Sequence, residues 1–197
     1  MRPLPYTSTA AQIPFYIVLV AFVLCEWRIS VKSGRNRYGT RSDRGTLLVV
    51  VATVYGGIGG GFALAANVGA AAIRDARWPL FVTGVVLMAA GVVLRQWSVA
   101  LLGRFFTTDV RLHEGQTVVD TGPYRRLRHP SYTGMLLTFL GLGLALGNWA
   151  ALLALVVLPA IGLVVRIRSE ERVLLAGLGE PYRRFAASRK RLIPGVW

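Results

Sequence analysis

The 197-residue chain is 54% hydrophobic and only 16% charged, with a mean hydropathy of +0.51. Soluble domains lie nearer a quarter charged, and several apolar runs here approach or exceed the ~20 residues that cross a bilayer as helix. That excludes an ordinary soluble globular domain. The net charge of +14 invites a nucleic-acid reading, but 18 of the 23 Lys and Arg fall in three segments, 32–45, 103–131 and 166–197. All three lie on one side if the spans alternate, which is the positive-inside pattern. The bilayer is therefore the expected partner, with attraction to anionic headgroups, and nucleic acid is not.

The fold class read from these runs is an all-α integral membrane protein with five apolar helices, forming a single membrane domain over 1–197. The first span covers 13–31, with Pro14 suited to its first turn. Residues 1–12 show no cleavable signal pattern. Glu26 and Arg28 lie near the end of this span, and an ion pair of Glu26 with Arg28 or with the following loop is expected. Residues 32–45 form a basic, glycine-bearing loop.

The second span covers 46–73. Its Tyr55-Gly56-Gly57-Ile58-Gly59-Gly60-Gly61 stretch does not fit Gly-x-Gly-x-x-Gly, and no strand–turn–helix unit surrounds it. Gly57 and Gly61 instead allow close helix approach in lipid. A short outer loop at 74–77 leads to the third span, 78–102. The connector 103–131 is polar and too long to be a mere turn. Apolar runs at 132–147 and 149–165, joined at Gly147-Asn148, must be antiparallel neighbours because the joint is short. Pro159 is expected to kink the second of them. The tail 166–197 begins with a helix leaving the membrane, followed by a turn and a short amphipathic helix on the headgroups. The carboxyl terminus then lies inside and the amino terminus outside.

Cys25 is the only cysteine, so no internal disulfide forms. One cysteine and two histidines, His113 and His129, argue against a structural metal site.

Two polar clusters flank the last apolar pair and can meet at one membrane face. The first is Gly122 to Gly134. Within it, Pro130 pushes His129 away from the α region and suits the first turn of the following helix. The free N–H groups of that helix start suit a carboxylate or phosphate. His129 reads as a general base, a ligand contact or a structural capping residue, with the ligand and structural roles about even. The second cluster is Arg166-Ile167-Arg168-Ser169-Glu170-Glu171. Arg166 and Glu170 are i and i+4 and can pair on one helix face. Alternatively, Glu170 holds a cation or ribose hydroxyls and Arg166 grips an anion in bidentate fashion.

Gly122-Pro123-Tyr124, Arg128-His129-Pro130-Ser131-Tyr132-Thr133-Gly134, Glu170-Glu171, Gly179-Glu180-Pro181-Tyr182 and the closing Arg-Leu-Ile-Pro, in that order, resemble the isoprenylcysteine carboxyl methyltransferase family. The related phospholipid methyltransferases share the pattern more loosely. The match covers roughly 95–197 and includes Leu94-Arg95-Gln96-Trp97-Ser98 and Leu102-Gly103-Arg104-Phe105. The resemblance implies S-adenosylmethionine bound at the cytoplasmic face by the carboxyl-terminal half. It separates amino-terminal spans (1–102) from a catalytic half (103–197) made of the connector, the hairpin 132–165 and the tail.

Carried over by motif, Gln116, Thr117, Val118, Val119, Tyr124, Arg128, His129, Pro130, Ser131, Tyr132, Glu170 and Glu171 are implied as cofactor contacts. Arg166 is implied to face the methyl acceptor. The stretch before Gln116 matches weakly, so Asp109 is not carried over.

The reading that follows is methyl transfer to an apolar or lipid-linked acceptor, a carboxylate first, by an integral protein of a bacterial-type inner membrane. A phospholipid amine or a small thiol is the alternative acceptor. A sterol-type membrane reductase using NADPH resembles the same architecture. A non-enzymatic packing subunit is the remaining class, and it predicts that neither cofactor binds.

Overall fold

The structure, a computed structural model, describes residues 2–35, 40–41, 45–193, 195 and 197. Residues 36–39 and 42–44 of the predicted basic loop 32–45, and Pro194 of the closing motif, lie outside the described residues, while 32–35 are not loop but the end of the first helix. The described chain folds as α1 (Leu4–Thr7), α2 (Thr9–Arg35), β1 (Thr40–Arg41), α3 (Thr46–Asn67), α4 (Arg77–Leu102), β2 (Arg111–Leu112), α5 (Pro130–Leu146), α6 (Trp149–Leu178) and α7 (Glu180–Ser188). The two short strands pair antiparallel, Thr40 opposite Leu112 and Arg41 opposite Arg111.

The molecule is an all-α integral membrane protein. Helices α2, α3, α4 and α6 are long and apolar enough to cross a membrane, and α5 is shorter. At 17 residues, α5 reaches about 26 Å, while the 30 residues of α6 reach about 45 Å. The last thirteen residues of α6, 166–178, therefore project past the end of its neighbour, carrying Arg166, Glu170 and Glu171 with them. The outward faces stay apolar, as Ile17, Val20, Trp27, Leu48, Val93 and Leu153 show by their exposure. In water such faces would be a liability; against lipid they are not.

Several element boundaries differ from those expected. The first span starts at Thr9, so Pro14 lies inside α2 and not in its first turn. Ala10 and Ala11 favour helix, and Ala11 is fully buried in the core, which extends the helix backwards. The second span stops at Asn67, short of residue 73. There the chain turns away to meet the α5–α6 joint: the Asn148 Nδ2 donates to Val68 O at 2.9 Å, and Ile73 N donates to Gly147 O at 2.8 Å. The helix expected to leave the membrane from Arg166 is the continuation of α6: between Arg166 and Leu178 every residue but Gly177 has fair helix propensity and none is proline, so the backbone stays helical until Gly179 at φ 61°.

The α5–α6 joint is as short as expected. Gly147 takes a left-handed φ of 59°, and Asn148 caps α6 by accepting from Ala151 N at 3.1 Å. The core is built by two tightly packed pairs, α4 on α5 and α3 on α6. Gly91 and Gly84 on α4 lie against Gly134 and Gly141 on α5 so closely that any Cβ would strike backbone. This contact fixes the depth of α5, and with it the position of His129 at the helix start. Gly57 and Gly61 pack on Pro159 and Leu155 of α6, a packing role and not a nucleotide loop. Phe15, Met88, Phe139, Leu155 and Leu163 fill the centre.

Candidate active site

The connector, the start of α5, residues 166–178 of α6 and α7 meet around a cavity open to solvent.

The floor comes from the start of α5. Pro130 occupies the first helical position, which leaves His129 outside the helix at φ −127°. His129 is 5% exposed, and its ring stacks on that of Tyr132 with centroids 5.6 Å apart. The Tyr132 hydroxyl donates to Glu170 Oε2 at 2.7 Å, joining α5 to α6.

Glu171 points to a different set of partners. Arg128 Nη1 lies 2.7 Å from its Oε1, His129 Nε2 lies 3.4 Å from the same oxygen, and Arg191 binds its Oε2 through Nε at 3.0 Å. The final segment runs alongside: Lys190 O accepts from Arg128 N at 2.8 Å, and Arg191 O accepts from His129 N at 3.0 Å. Leu192 O accepts from the Thr133 hydroxyl at 2.8 Å. The carboxyl-terminal segment is thus a strap that holds the His129 turn from behind.

Arg166, buried at 4% exposure, faces the cavity from α6. Its Nη1 donates to Thr46 Oγ1 at 3.0 Å, and its Nη2 donates to Thr108 O. Tyr124 and Tyr182 close the opposite side. The Tyr124 hydroxyl donates to Ser98 O at 3.3 Å. Burial pushes both phenols above their ordinary value, and nearby carboxylates add to it, Glu170 at Tyr124 and Glu171 followed by Glu170 at Tyr182. Both stay neutral at physiological pH and can act as donors.

Of the residues singled out in the sequence, Gln116, Thr117, Val118, Val119, Tyr124, Arg128, His129, Ser131, Tyr132, Arg166 and Glu170 all line this one cavity. Pro130 and Glu171 are not part of its lining; they act behind it, one setting the helix start and the other holding the strap. Among the lining residues outside that set are Asp109 and Tyr182. Asp109 sits in a weakly matching stretch, and its only cue was an isolated carboxylate in the connector. Tyr182 belonged to a quoted motif but was read as a turn marker.

Three lining residues each keep a buried polar atom without a partner among the described residues: Asp109 Oδ1, Arg128 Nε and the Tyr182 hydroxyl. Buried polar groups are normally satisfied, so these three atoms have hydrogen-bonding capacity to spare.

The family model described as phospholipid methyltransferase matches residues 79–180, just over half of the chain. The chain belongs to the phospholipid methyltransferase family. The matched region contains α4 but for its first two residues, the connector, the α5–α6 hairpin, and Glu170 and Glu171. The expected relation to the isoprenylcysteine carboxyl methyltransferases holds in sequence as well. A probable protein-S-isoprenylcysteine O-methyltransferase of Oryza sativa subsp. indica is 31% identical over 111 residues, 55% of this chain and 58% of that one. Protein-S-isoprenylcysteine O-methyltransferase B of Arabidopsis thaliana is 31% identical over 121 residues, 60% of this chain and 61% of that one. The chain spans about three fifths of the length of these curated relatives. Among solved structures, the eukaryotic intramembrane Ras methyltransferase ICMT shares the fold, with a TM-score of 0.63 at 17% identity, covering 98% of this chain and 70% of that one. The likeness in fold to that structure covers the first two spans, where the family model does not reach.

Proposed function

We propose that the protein is a membrane-embedded methyltransferase that uses S-adenosylmethionine and methylates an apolar or lipid-linked acceptor, a carboxylate first. The observation that carries this reading is the single cavity joining His129–Tyr132, Glu170 and Arg166, elements separated by the whole α5–α6 hairpin. The residues present fit the cofactor. Glu170 offers a carboxylate for a cation or for ribose hydroxyls. Arg128 Nε and the Tyr182 hydroxyl offer donors, Asp109 Oδ1 offers an acceptor, and Val118, Val119 and Leu174 offer apolar walls for a base.

When bound, S-adenosylmethionine supplies a methyl group already activated by its sulfonium. The chain's part is positioning, which is worth several kcal/mol in a two-reactant step. Arg166 orients an acceptor carboxylate, which is ionised at neutral pH and needs no base. His129 holds the cofactor side through its ring stack with Tyr132 and does not move a proton. We read the end of the bundle bearing the cavity as cytoplasmic, because Arg104, Arg111, Arg125, Arg126, Arg128, Arg168 and Arg172 gather there. A lipidic acceptor then enters sideways between helices while the polar cofactor arrives from water.

Purified protein in lipid nanodiscs is titrated calorimetrically with S-adenosylmethionine and, separately, with NADPH. Binding of the first alone is expected; binding of NADPH alone would replace this reading with a reductase. Mass spectrometry of lipid and prenylated acid acceptors incubated with isotope-labelled cofactor then identifies the product. The family description names phospholipids, so label found only on amine headgroups would move the acceptor from acid to amine.

A further inference from the structure

Glu26, on the first span, bonds to Arg95, on the third. Arg95 Nη2 donates to Glu26 Oε2 at 2.7 Å, and Arg95 Nε donates to Glu26 Oε1. The expected pairing of Glu26 with Arg28 or with the loop is thereby corrected. Arg28 lies two residues on, around the helix, whereas α4 presents Arg95 directly across the helix interface. The other end of the guanidinium reaches α5: Arg95 Nη1 donates to the Ser131 hydroxyl at 2.9 Å. Arg95 is 5% exposed and Ser131 likewise. Ser131 lines the cavity, one residue from Tyr132.

The Arg95 side chain is 6% exposed, and that of Glu26 27%. A largely buried ion pair is a weak source of stability, because the cost of desolvating the charges offsets much of their attraction. An apolar pair would hold two spans together at least as well. What apolar side chains cannot do is hold the Ser131 hydroxyl in one place.

We infer that Glu26 is a positioning residue for the cofactor side of the cavity: by fixing Arg95, it fixes Ser131 and the first turn of α5 that carries His129 and Tyr132. Glu26 lies outside the region matched by the family model, 79–180, so the first span contributes a working part from beyond it. Glu26 touches no reacting atom and acts only through Arg95. The inference rests on the donor-site reading of the cavity.

The test measures S-adenosylmethionine affinity calorimetrically for wild type, E26Q, E26D and the double variant E26L/R95L in nanodiscs, with melting temperature and acceptor KM in parallel. E26Q is expected to bind the cofactor about tenfold more weakly, the scale of one lost charge-assisted hydrogen bond, with acceptor KM changed less than twofold. E26D is expected to recover most of the affinity. E26L/R95L leaves no unpaired charge, so it is expected to melt near wild type yet bind weakly. Wild-type affinity in E26L/R95L would overturn the inference and leave the pair a structural tie. Equal losses in cofactor affinity and acceptor KM across the series would also overturn it. Failure of the wild type to bind the cofactor at all would instead overturn the donor-site reading.

Discussion

Ser33, at the end of the first span, is fully buried and exchanges two contacts with Thr108 of the connector. Its hydroxyl lies 2.9 Å from Thr108 Oγ1 and accepts from Thr108 N at 2.7 Å. Thr108 O in turn receives Arg166 Nη2, and Thr46, at the start of α3, receives Nη1. The first two spans thus grip the guanidinium proposed to meet the acceptor.

Ser33→Ala removes both contacts at once. Each neutral hydrogen bond contributes about 1 kcal/mol, so loosening Thr108 should raise acceptor KM roughly fivefold to tenfold. Cofactor affinity should not move, because Ser33 and Thr108 stand on the Arg166 side. Steady-state kinetics with calorimetry of the cofactor separates the two. A change in cofactor affinity alone would mean that the connector serves the other side of the cavity.

Tyr182 keeps a buried hydroxyl without a partner among the described residues. In the absence of ligand that hydroxyl contributes nothing, and its desolvation opposes folding. Tyr182→Phe should therefore leave the melting temperature of the ligand-free protein unchanged or slightly raised. With S-adenosylmethionine present, affinity should fall by about fivefold, the equivalent of ~1 kcal/mol for one hydrogen bond. Opposite signs in the two measurements identify a ligand contact; a lower melting temperature with unchanged affinity identifies a packing residue.

Arg191 binds Glu171 with Nε at 3.0 Å and Nη2 at 2.9 Å, while its guanidinium lies over the Trp197 ring. A lysine cannot reproduce that planar, two-pronged grip. Arg191→Lys is expected to lower the melting temperature modestly and to weaken cofactor binding, because the strap it anchors bonds the His129 amide. Arg191→Ala should do both more strongly. Thermal melts and calorimetry on the same preparations check the order: wild type, then Lys, then Ala.

Much of this arrangement was legible in the residues. The hairpin was readable because Gly147-Asn148 leaves no room for anything but antiparallel neighbours, and the gathering of two polar clusters followed from it. What was not legible depended on which helix faces which. No local pattern shows that Glu26 meets Arg95, sixty-nine positions away. Glu170 and Glu171 are adjacent, yet one faces the cavity and the other faces the strap. A helix turns ~100° per residue, so neighbours necessarily diverge, but only packing decides which points inward.

Arg166 is where the acceptor proposal can be lost. If it orients a carboxylate, Arg166→Lys keeps the charge but loses the fork needed to hold Thr46, Thr108 and an acceptor together. Acceptor kcat/KM should then fall at least about tenfold further than cofactor affinity does, consistent with losing charge-assisted bonds of ~1.5–3 kcal/mol. Arg166→Ala should be worse for acid acceptors than for neutral ones of equal hydrophobicity. That comparison separates recognition of the acceptor's charge from a general loosening of the cavity, in which both acceptor types would suffer alike. An amine acceptor predicts the reverse order, because removing a nearby cation relieves repulsion. Measuring acid, neutral and amine acceptors against the same variant therefore decides which headgroup the site was built to receive.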